Sequence, residues 1–478
     1  MRYLRLLNTA LCLALTAVGI LIAANSSPIA FAQADLGSCS GVVTDASGAV
    51  IPNAEVSLAN VATGATRSTV TNSKGEYSLT QLLPAAYTLK INAPGFAKAS
   101  QTLQVTVGST NAVNVRLAVE GGSTQITVSA DDFSSVHLEK PELSAVISSD
   151  QIQSLPTLDR NPYNLVAYSG NLSSDPTAAS RGVGFNISGS RSSSVDILLD
   201  GAENTDLYAV GIGQTVPMDA TSEIRIVTSN SGAEYGRGAG AVNVSTKSGS
   251  NQLHGSIYEF NRVSTLASAG YNNNYIHAMN PDIPNKPRYT HNQFGYSVGG
   301  PFKKDKLFFF SSTEWTRIRS YQNEIAVVPT PELLAMSASN MQSFFGTYGK
   351  LAHPVNGSTY NASSTALKSV FGNDVVKIGL QQAGLVQDTA NPVKDCADVR
   401  ISSMAVCKAS SLFGEAIYQA PQNSGGGDPV NQWISFNRVD WTINQTTSMF
   451  GRYIQQSAIN PPGFINYSPY EGYDTNQT

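Results

Sequence analysis

From residue 253 onward the chain reads as strand-length stretches whose two faces differ in kind, joined alternately by very short and very long connections. Residues 253–262 make a first strand and 290–302 a second, with a long loop between them. The turn Lys303-Lys304-Asp305 leads directly into a third strand at 306–319. About 110 irregular residues are expected before a fourth strand at 432–444, and Gln445-Thr446 then turns straight into a fifth at 447–456. On the fourth strand Trp433, Val439, Trp441 and Ile443 share one side while Arg438 and Asp440 share the other; on the fifth, Met449 and Tyr453 oppose Arg452. Successive side chains alternate across a strand, so one row is apolar and aromatic and the other polar. A wall with lipid outside and water inside has this pattern, with short turns at one membrane surface and long loops at the other. A soluble sandwich with one wet face is the competing reading of these strands taken alone.

The rest of the composition agrees with a mainly β chain. Charged residues make up 13% and the net charge is −4, so no basic stripe invites nucleic acid. A hydrophobic content of 41% is too low for a helical membrane protein and suits a barrel with a polar lumen. Five strands do not close a barrel, since bacterial single-chain barrels have even counts of about 8 or more. An open edge in lipid would leave backbone groups unpaired at several kcal/mol each. The sequence is therefore expected to be truncated at its C-terminus, stopping in an external loop after Tyr453.

At the other end, Arg2 and Arg5 precede an apolar run at 11–24, and small residues follow at Ala30, Ala32 and Ala34. Residues 1–34 are thus expected to be a signal peptide cleaved after Ala34. No later stretch approaches 18 apolar residues, so no membrane-spanning helix is expected in the mature chain. Of four cysteines, Cys12 leaves with the signal, and Cys39 reads as a small buried strand residue. Cys396 and Cys407 lie in a polar segment and are expected to pair in an oxidising compartment, adding roughly 2–3 kcal/mol by constraining the unfolded chain.

Residues 38–119 carry short alternating runs separated by turn residues at 45–48, 72–75 and 93–95. Tyr77 and Leu79, then Tyr87, Leu89 and Ile91, recur with period two, as do Leu103, Val105 and Val107, and Val113, Val115 and Leu117. About seven strands without a helical pattern predict a small β-sandwich. Gly41-Val-Val-Thr-Asp45-Ala-Ser-Gly48, Asn72-Ser-Lys-Gly75-Glu-Tyr77, Leu83-Pro84 and Pro94-Gly95-Phe96 resemble a carboxypeptidase regulatory-like domain. The resemblance implies a transthyretin-like sandwich without catalytic residues. Ala85-Ala86 departs from the Pro-Gly usual before the tyrosine, which implies a less tight turn.

Residues 121–250 alternate strand-like and helical segments and predict an α+β unit. Asp150 is the expected cap of a short helix with Ile152 and Leu155 facing inward, and Pro156 ends it. Strands are predicted at 185–189, 195–199, 224–227 and 241–246, with Asp200-Gly201 as a strong turn signal. Leu155-Pro156, Arg160-Asn161, Ile187-Ser-Gly189-Ser-Arg191 and Leu199-Asp200-Gly201 resemble the plug of TonB-dependent receptors. Ala233-Glu-Tyr-Gly236-Arg237 and Thr246-Lys-Ser-Gly249-Ser-Asn251 are similar to the Oar-like branch of that family, as are Asn292-Gln-Phe-Gly295, Gly299-Gly300-Pro301 and Phe308-Phe309-Phe310 in the barrel region, 251–478. The extended run Thr124, Gln125, Ile126, Thr127, Val128, Ser129 and Ala130 resembles the TonB box, a strand that pairs with TonB; a plain linker is the alternative.

Catalytic signatures are not found. The histidines at 137, 254, 277, 291 and 353 form neither an H-x-x-E nor an H-E-x-x-H pattern, so no zinc site and no catalytic set is expected. Gly236-Arg-Gly238-Ala-Gly240 runs into a strand and cannot cradle a dinucleotide phosphate. Asp200, Glu203 and Asp206 lack the ligand ladder of a calcium loop and read as a solvated turn, as do Lys303, Lys304 and Lys306 beside lipid headgroups. The resemblance implies a non-enzymatic outer-membrane receptor without cofactor, its sandwich in the periplasm. TonB, outer-membrane lipid and an extracellular ligand of unknown identity would be its partners. A non-transporting structural or adhesive outer-membrane protein of the same architecture is the rival reading.

Overall fold

The computed structural model describes residues 36–119, 142–175, 182–230, 232, 235, 240–279, 281, 285–329, 334–335, 337–352, 354–361, 413–445, 447–462, 464 and 468–471. The signal peptide, the 124–130 run, Cys396 and Cys407 lie outside the described residues. Two compact units divide the chain. The first takes in residues 1–253 with 299–310 and 438–452, and the second takes in 254–298, 311–437 and 453–478.

The N-terminal strands are β1 (Gly37–Asp45), β2 (Glu55–Asn60), β3 (Thr66–Val70), β4 (Glu76–Leu82), β5 (Ala85–Asn92), β6 (Ala99–Val105), β7 (Thr110–Ala112) and β8 (Val115–Leu117). They form two sheets, one in the order β3-β2-β5-β6 and one in which β1 pairs with β4, β7 and β8. The expected last run splits in two because β7 and β8 lie in succession, parallel, along β1. Turn residues do what their chemistry allows: the Asp45 carboxylate accepts from Ser47 N and Ala49 N at 2.8 and 2.9 Å, and Asn72 Oδ1 accepts from Lys74 N and Glu76 N.

Between the sheets lie Cys39, Val43, Val56, Leu58, Leu79, Leu89, Ile91 and Leu117, all buried. Each large aliphatic contributes roughly 1.5–3 kcal/mol on burial. Strict alternation would put Gln81 inside and Leu82 outside. Gln81 instead takes a left-handed backbone (φ 59), the β1–β4 register slips, and Leu82 turns inward to 1% exposure. Tyr77 Oη donates to Val113 O at 2.7 Å and closes one end of the core. Burial pushes the Cys39 thiol up to about 11, so it packs as an inert small side chain.

The next strands are β9 (Leu143–Ile147), β10 (Leu172–Ser174), β11 (Phe185–Ile187), β12 (Val195–Leu199), β13 (Ala202–Glu203), β14 (Thr221–Ser229) and β15 (Gly240–Thr246). One sheet runs β13-β12-β15-β14-β9, so β9 is an edge strand, and β10 and β11 pair separately. Helix α1 (Ser149–Ser154) is capped by Ser148 in a reciprocal capping box with Gln151, not by Asp150. Asp150 falls inside the first turn, where a carboxylate favours the helix dipole. Ile152 is buried, whereas Leu155 is only half-buried. Residues Pro162–Ser169 form a 3-10 helix opened by Asn161, whose side chain accepts from Tyr163 N.

The remaining strands are β16 (His254–Val263), β17 (Tyr289–Lys303), β18 (Leu307–Ser320), β19 (Gln322–Pro329), β20 (Pro354–Asn361), β21 (Phe413–Ala420), β22 (Val430–Thr442) and β23 (Ser448–Ile459). The five long strands form a sheet in the order β16-β17-β18-β22-β23, which does not close on itself among the described residues. Helices α2 (Tyr271–Met279) and α3 (Ser339–Tyr348) occupy the two long connections. The expected irregular stretch between the third and fourth strands is a correction. It holds a three-stranded sheet, β19-β21-β20, with β19 and β21 in continuous antiparallel register from Gln322↔Ala420 to Pro329↔Phe413. That pairing joins residues too distant in sequence for local periodicity to reveal.

The outward faces of the long strands are apolar as expected, but the inner row, expected to be polar, also buries Phe308, Phe310, Ile434 and Phe436. On β22, Ile434, Phe436 and Arg438 are buried while Val439 and Trp441, and Ile443 just past its end, are exposed. On β17 and β18, Phe294 stacks on Trp315 with centroids 5.7 Å apart, and Phe302 meets Phe309 at 4.7 Å. Phe309 and Trp315 stand roughly 20 Å apart along the strand, six residues at about 3.3 Å each, close to the height of a lipid-facing band. No helix among the described residues is long and apolar enough to cross a membrane.

Candidate functional site

The Asp200-Gly201 pair closes a two-residue hairpin between β12 and β13, with Leu199 opposite Ala202. Both residues have positive φ, 50° and 77°. That geometry suits the twist of a tight hairpin and asks for Asp or Asn followed by Gly. The turn is tied down on the plug side: Thr246 N donates to Asp200 Oδ1 at 2.8 Å, the Thr246 hydroxyl to Oδ2 at 2.9 Å, and Gly201 N to Asn243 Oδ1 at 3.1 Å.

Two arginines from the strand wall meet this carboxylate. Arg452 Nη1 lies 2.6 Å from Asp200 Oδ2 and also donates to Leu199 O at 2.6 Å. Arg438 Nη1 lies 3.4 Å from Asp200 Oδ1 and donates to the Thr246 hydroxyl at 2.8 Å. The rest of the Arg438 guanidinium grips Asp440 through Nε and Nη2, and the Phe450 ring lies 4.3 Å from its centre. Two arginines and two carboxylates therefore balance. Arg438 is 4% exposed and the Asp200 side chain 8%. An enclosed pair of this kind adds little net stability against an apolar replacement, but removing one member strands a charge and costs about 3–5 kcal/mol. Such a cluster can act as a latch, holding one arrangement firmly and leaving charges that water accepts when it opens.

The sequence reading of a solvated acidic turn is thus corrected for Asp200, which is buried among partners that lie 238 and 252 residues away in the chain. Glu203 is exposed, and Asp206 caps its own loop by accepting from Tyr208 N and Ala209 N, both at 2.7 Å. That loop returns through a Thr205–Ile212 bridge and carries Leu207 and Tyr208 at 82% and 86% exposure. Val210 in it has φ 54, an unusual backbone for a β-branched residue, and such strain collects at functional loops.

A second polar cluster lies within the other unit. Glu314, 5% exposed, accepts from Tyr258 Oη at 2.9 Å and from Gln293 Nε2 at 2.7 Å. The Tyr258 side chain reaches it by crossing Gly295, where a Cβ would meet the phenolic Oη at 2.7 Å. The same unit exposes Tyr271 and Tyr275 on α2, and Met341, Phe344 and Tyr348 on α3. Lys303, Lys304 and Lys306 are exposed around a turn in which Lys306 N donates to Lys303 O. Among the described residues no group of His, Cys, Asp and Glu is placed to hold a metal ion.

Comparison with known proteins places three domains in series. Residues 38–118 match a carboxypeptidase regulatory-like domain, 137–242 a TonB-dependent receptor plug domain, and 245–478 an outer membrane beta barrel domain. The TonB-dependent transporter Oar of Myxococcus xanthus is 27% identical over 266 residues, covering 51% of this chain and 23% of that protein. Among solved structures, the siderophore receptor PirA from Pseudomonas aeruginosa overlaps 38% of this chain and 31% of its own at 19% identity and a TM-score of 0.25. A group B streptococcus pilus 2b backbone protein overlaps 18% of this chain and 41% of its own at 19% identity and a TM-score of 0.16.

Proposed function

We propose that this chain, an outer-membrane receptor of the TonB-dependent, Oar-like type with a carboxypeptidase regulatory-like domain in front, serves uptake or passage of a large substrate across the barrel by energy-coupled displacement of its plug. The observation that carries the reading is the latch: a plug-turn carboxylate buried between two arginines of the wall, firm at rest and separable into charged groups that water solvates. Tension on the run from Thr124 to Ala130, paired as a strand with TonB, would draw on β9 and shift the plug sheet to which the Asp200 turn belongs. The exposed Leu207 and Tyr208 supply apolar contacts for a substrate. The chain is read as a transporter and not an enzyme. A disulfide between Cys396 and Cys407 would staple the long insertion.

The test uses the full chain, with residues 124–130 present or deleted, challenged with the purified periplasmic domain of TonB. Retention of TonB by the intact chain and its loss on deletion are expected. Equal retention by both would remove the coupling role of that run, and no retention by either would favour the adhesive, non-transporting reading.

A further inference from the structure

The sandwich and the plug meet at a contact that the transport reading does not use. The turn at residues 106–109 is built for presentation. Ser109 N donates to Thr106 O, the Ser109 hydroxyl donates to the same oxygen at 2.7 Å, and Thr106 N donates back to Ser109 Oγ. Its tip, Val107-Gly108, seats on plug strand β14. Val107 N donates to Glu223 Oε1 at 2.6 Å, and both residues are buried, at 3% and 5% exposure. Gly108, at φ 62, lies so close to Arg225 that a Cβ there would fall inside the guanidinium.

Beneath this glycine, Arg225 is ion-paired with Glu142, the residue that enters β9, and the two side chains are 3% and 8% exposed. Arg225 also donates to Tyr235 Oη at 3.2 Å and sits opposite Val146 in the β14–β9 register. A second contact lies away from the first. Asn251 N donates to Ala62 O of the sandwich at 2.9 Å, and Asn251 Nδ2 donates to Asp305 Oδ1, beside Gly64, at 2.7 Å.

We propose that the sandwich is a docked brace on the plug, whose Val107-Gly108 tip covers the Arg225–Glu142 pair and keeps the edge strand β9 from peeling off β14 until the sandwich lifts. β9 has one neighbour in its sheet, so the bonds to β14 and the ion pair at its entrance, together with its packing on the 3-10 helix Pro162–Ser169, retain it. Shielding that pair from water strengthens it, and lifting the tip exposes it to a solvent that screens it. The brace thus sets an order of events: the sandwich releases first, β9 second. The order holds whether or not substrate moves.

Hydrogen exchange on the full chain in detergent tests this with two glycines. Gly108→Ala introduces a Cβ at a positive φ and into the Arg225 guanidinium, whereas Gly95→Ala introduces it at φ 83 with nothing within 4 Å. Backbone strain is shared by both, and only the first breaks the seat. Gly108→Ala is expected to speed exchange of the β9 amides tenfold or more, with β2 and β5 still protected, while Gly95→Ala leaves β9 as in the parent. Equal β9 protection in Gly108→Ala and the parent, or equal loss in both variants, would overturn the proposal. Should Gly108→Ala also unprotect β2 and β5, Glu223→Ala decides, since it removes the acceptor of Val107 N without touching the sandwich. Faster β9 exchange supports the brace and unchanged exchange ends it.

Discussion

The sandwich and the long-stranded wall obey the same two-residue rhythm and use it in opposite senses. In the sandwich the buried row is Val56, Leu58, Leu89 and Ile91. In the wall the buried positions include Gln293, Glu314 and Arg438, while Tyr296, Val439 and Trp441 face out. The strand geometry is shared and the solvent is not. Water surrounds one and lipid the other, so the outward row is polar in the first and apolar in the second. In the wall the buried polar groups share the inner row with Phe308, Phe310, Ile434 and Phe436. Interior side chains therefore differ in kind: aliphatic packing fills the sandwich, whereas ion-paired and hydrogen-bonded polar groups sit among buried aromatics in the wall.

Substitutions in the two interiors should fail for different reasons. Asp200→Ala leaves Arg452 without its carboxylate and should cost about 3–5 kcal/mol, read as a lower denaturant midpoint of the first unit. A neutral result would mean that water already reaches the pair. Leu58→Ala opens a cavity at a fully buried site and should cost the sandwich about 3 kcal/mol while leaving the five-stranded sheet unchanged in infrared or circular dichroism spectra.

Glu223 lies where sandwich meets plug. Burial pushes its carboxyl from 4.5 up to about 7, with the Val107 N–H and Arg225 pulling the other way. A raised folded-state value means the favourable contribution is full below 4.5 and fades as pH rises to about 7. Melting temperature should fall across that window, by the equivalent of at most about 3 kcal/mol, and Glu223→Gln should flatten the slope. A flat profile in the parent would show that water reaches the carboxylate. The smallest effect belongs to the outer faces. Tyr296→Arg should cost about 2 kcal/mol in lipid vesicles, against less than about 0.5 for Ser78→Arg on the wet face of the sandwich. Equal values would erase the contrast between the two regions.

Sequence periodicity located the long strands to within three residues at every end, because alternation and turn chemistry are local. It did not reveal that Asp200 sits between Arg438 and Arg452, since a neutral cluster assembled from three distant segments leaves no spacing to read. The sheet β19-β21-β20 was missed for the same reason, and the inward turn of Leu82 depends on a left-handed Gln81 that no alternation rule anticipates. The capping box at Ser148 and Gln151 was readable, and only the choice of Asp150 hid it.

When Asp200 withdraws, the Arg438 guanidinium keeps its two-pronged hold on Asp440 and its seat on the Phe450 ring. The Arg438 side of the contact is therefore held by the wall itself, whereas Arg452 contacts the plug through Leu199 O and Asp200. Part of the receiving site is thus preformed, and a returning turn would meet the Arg438 donors already aimed at it.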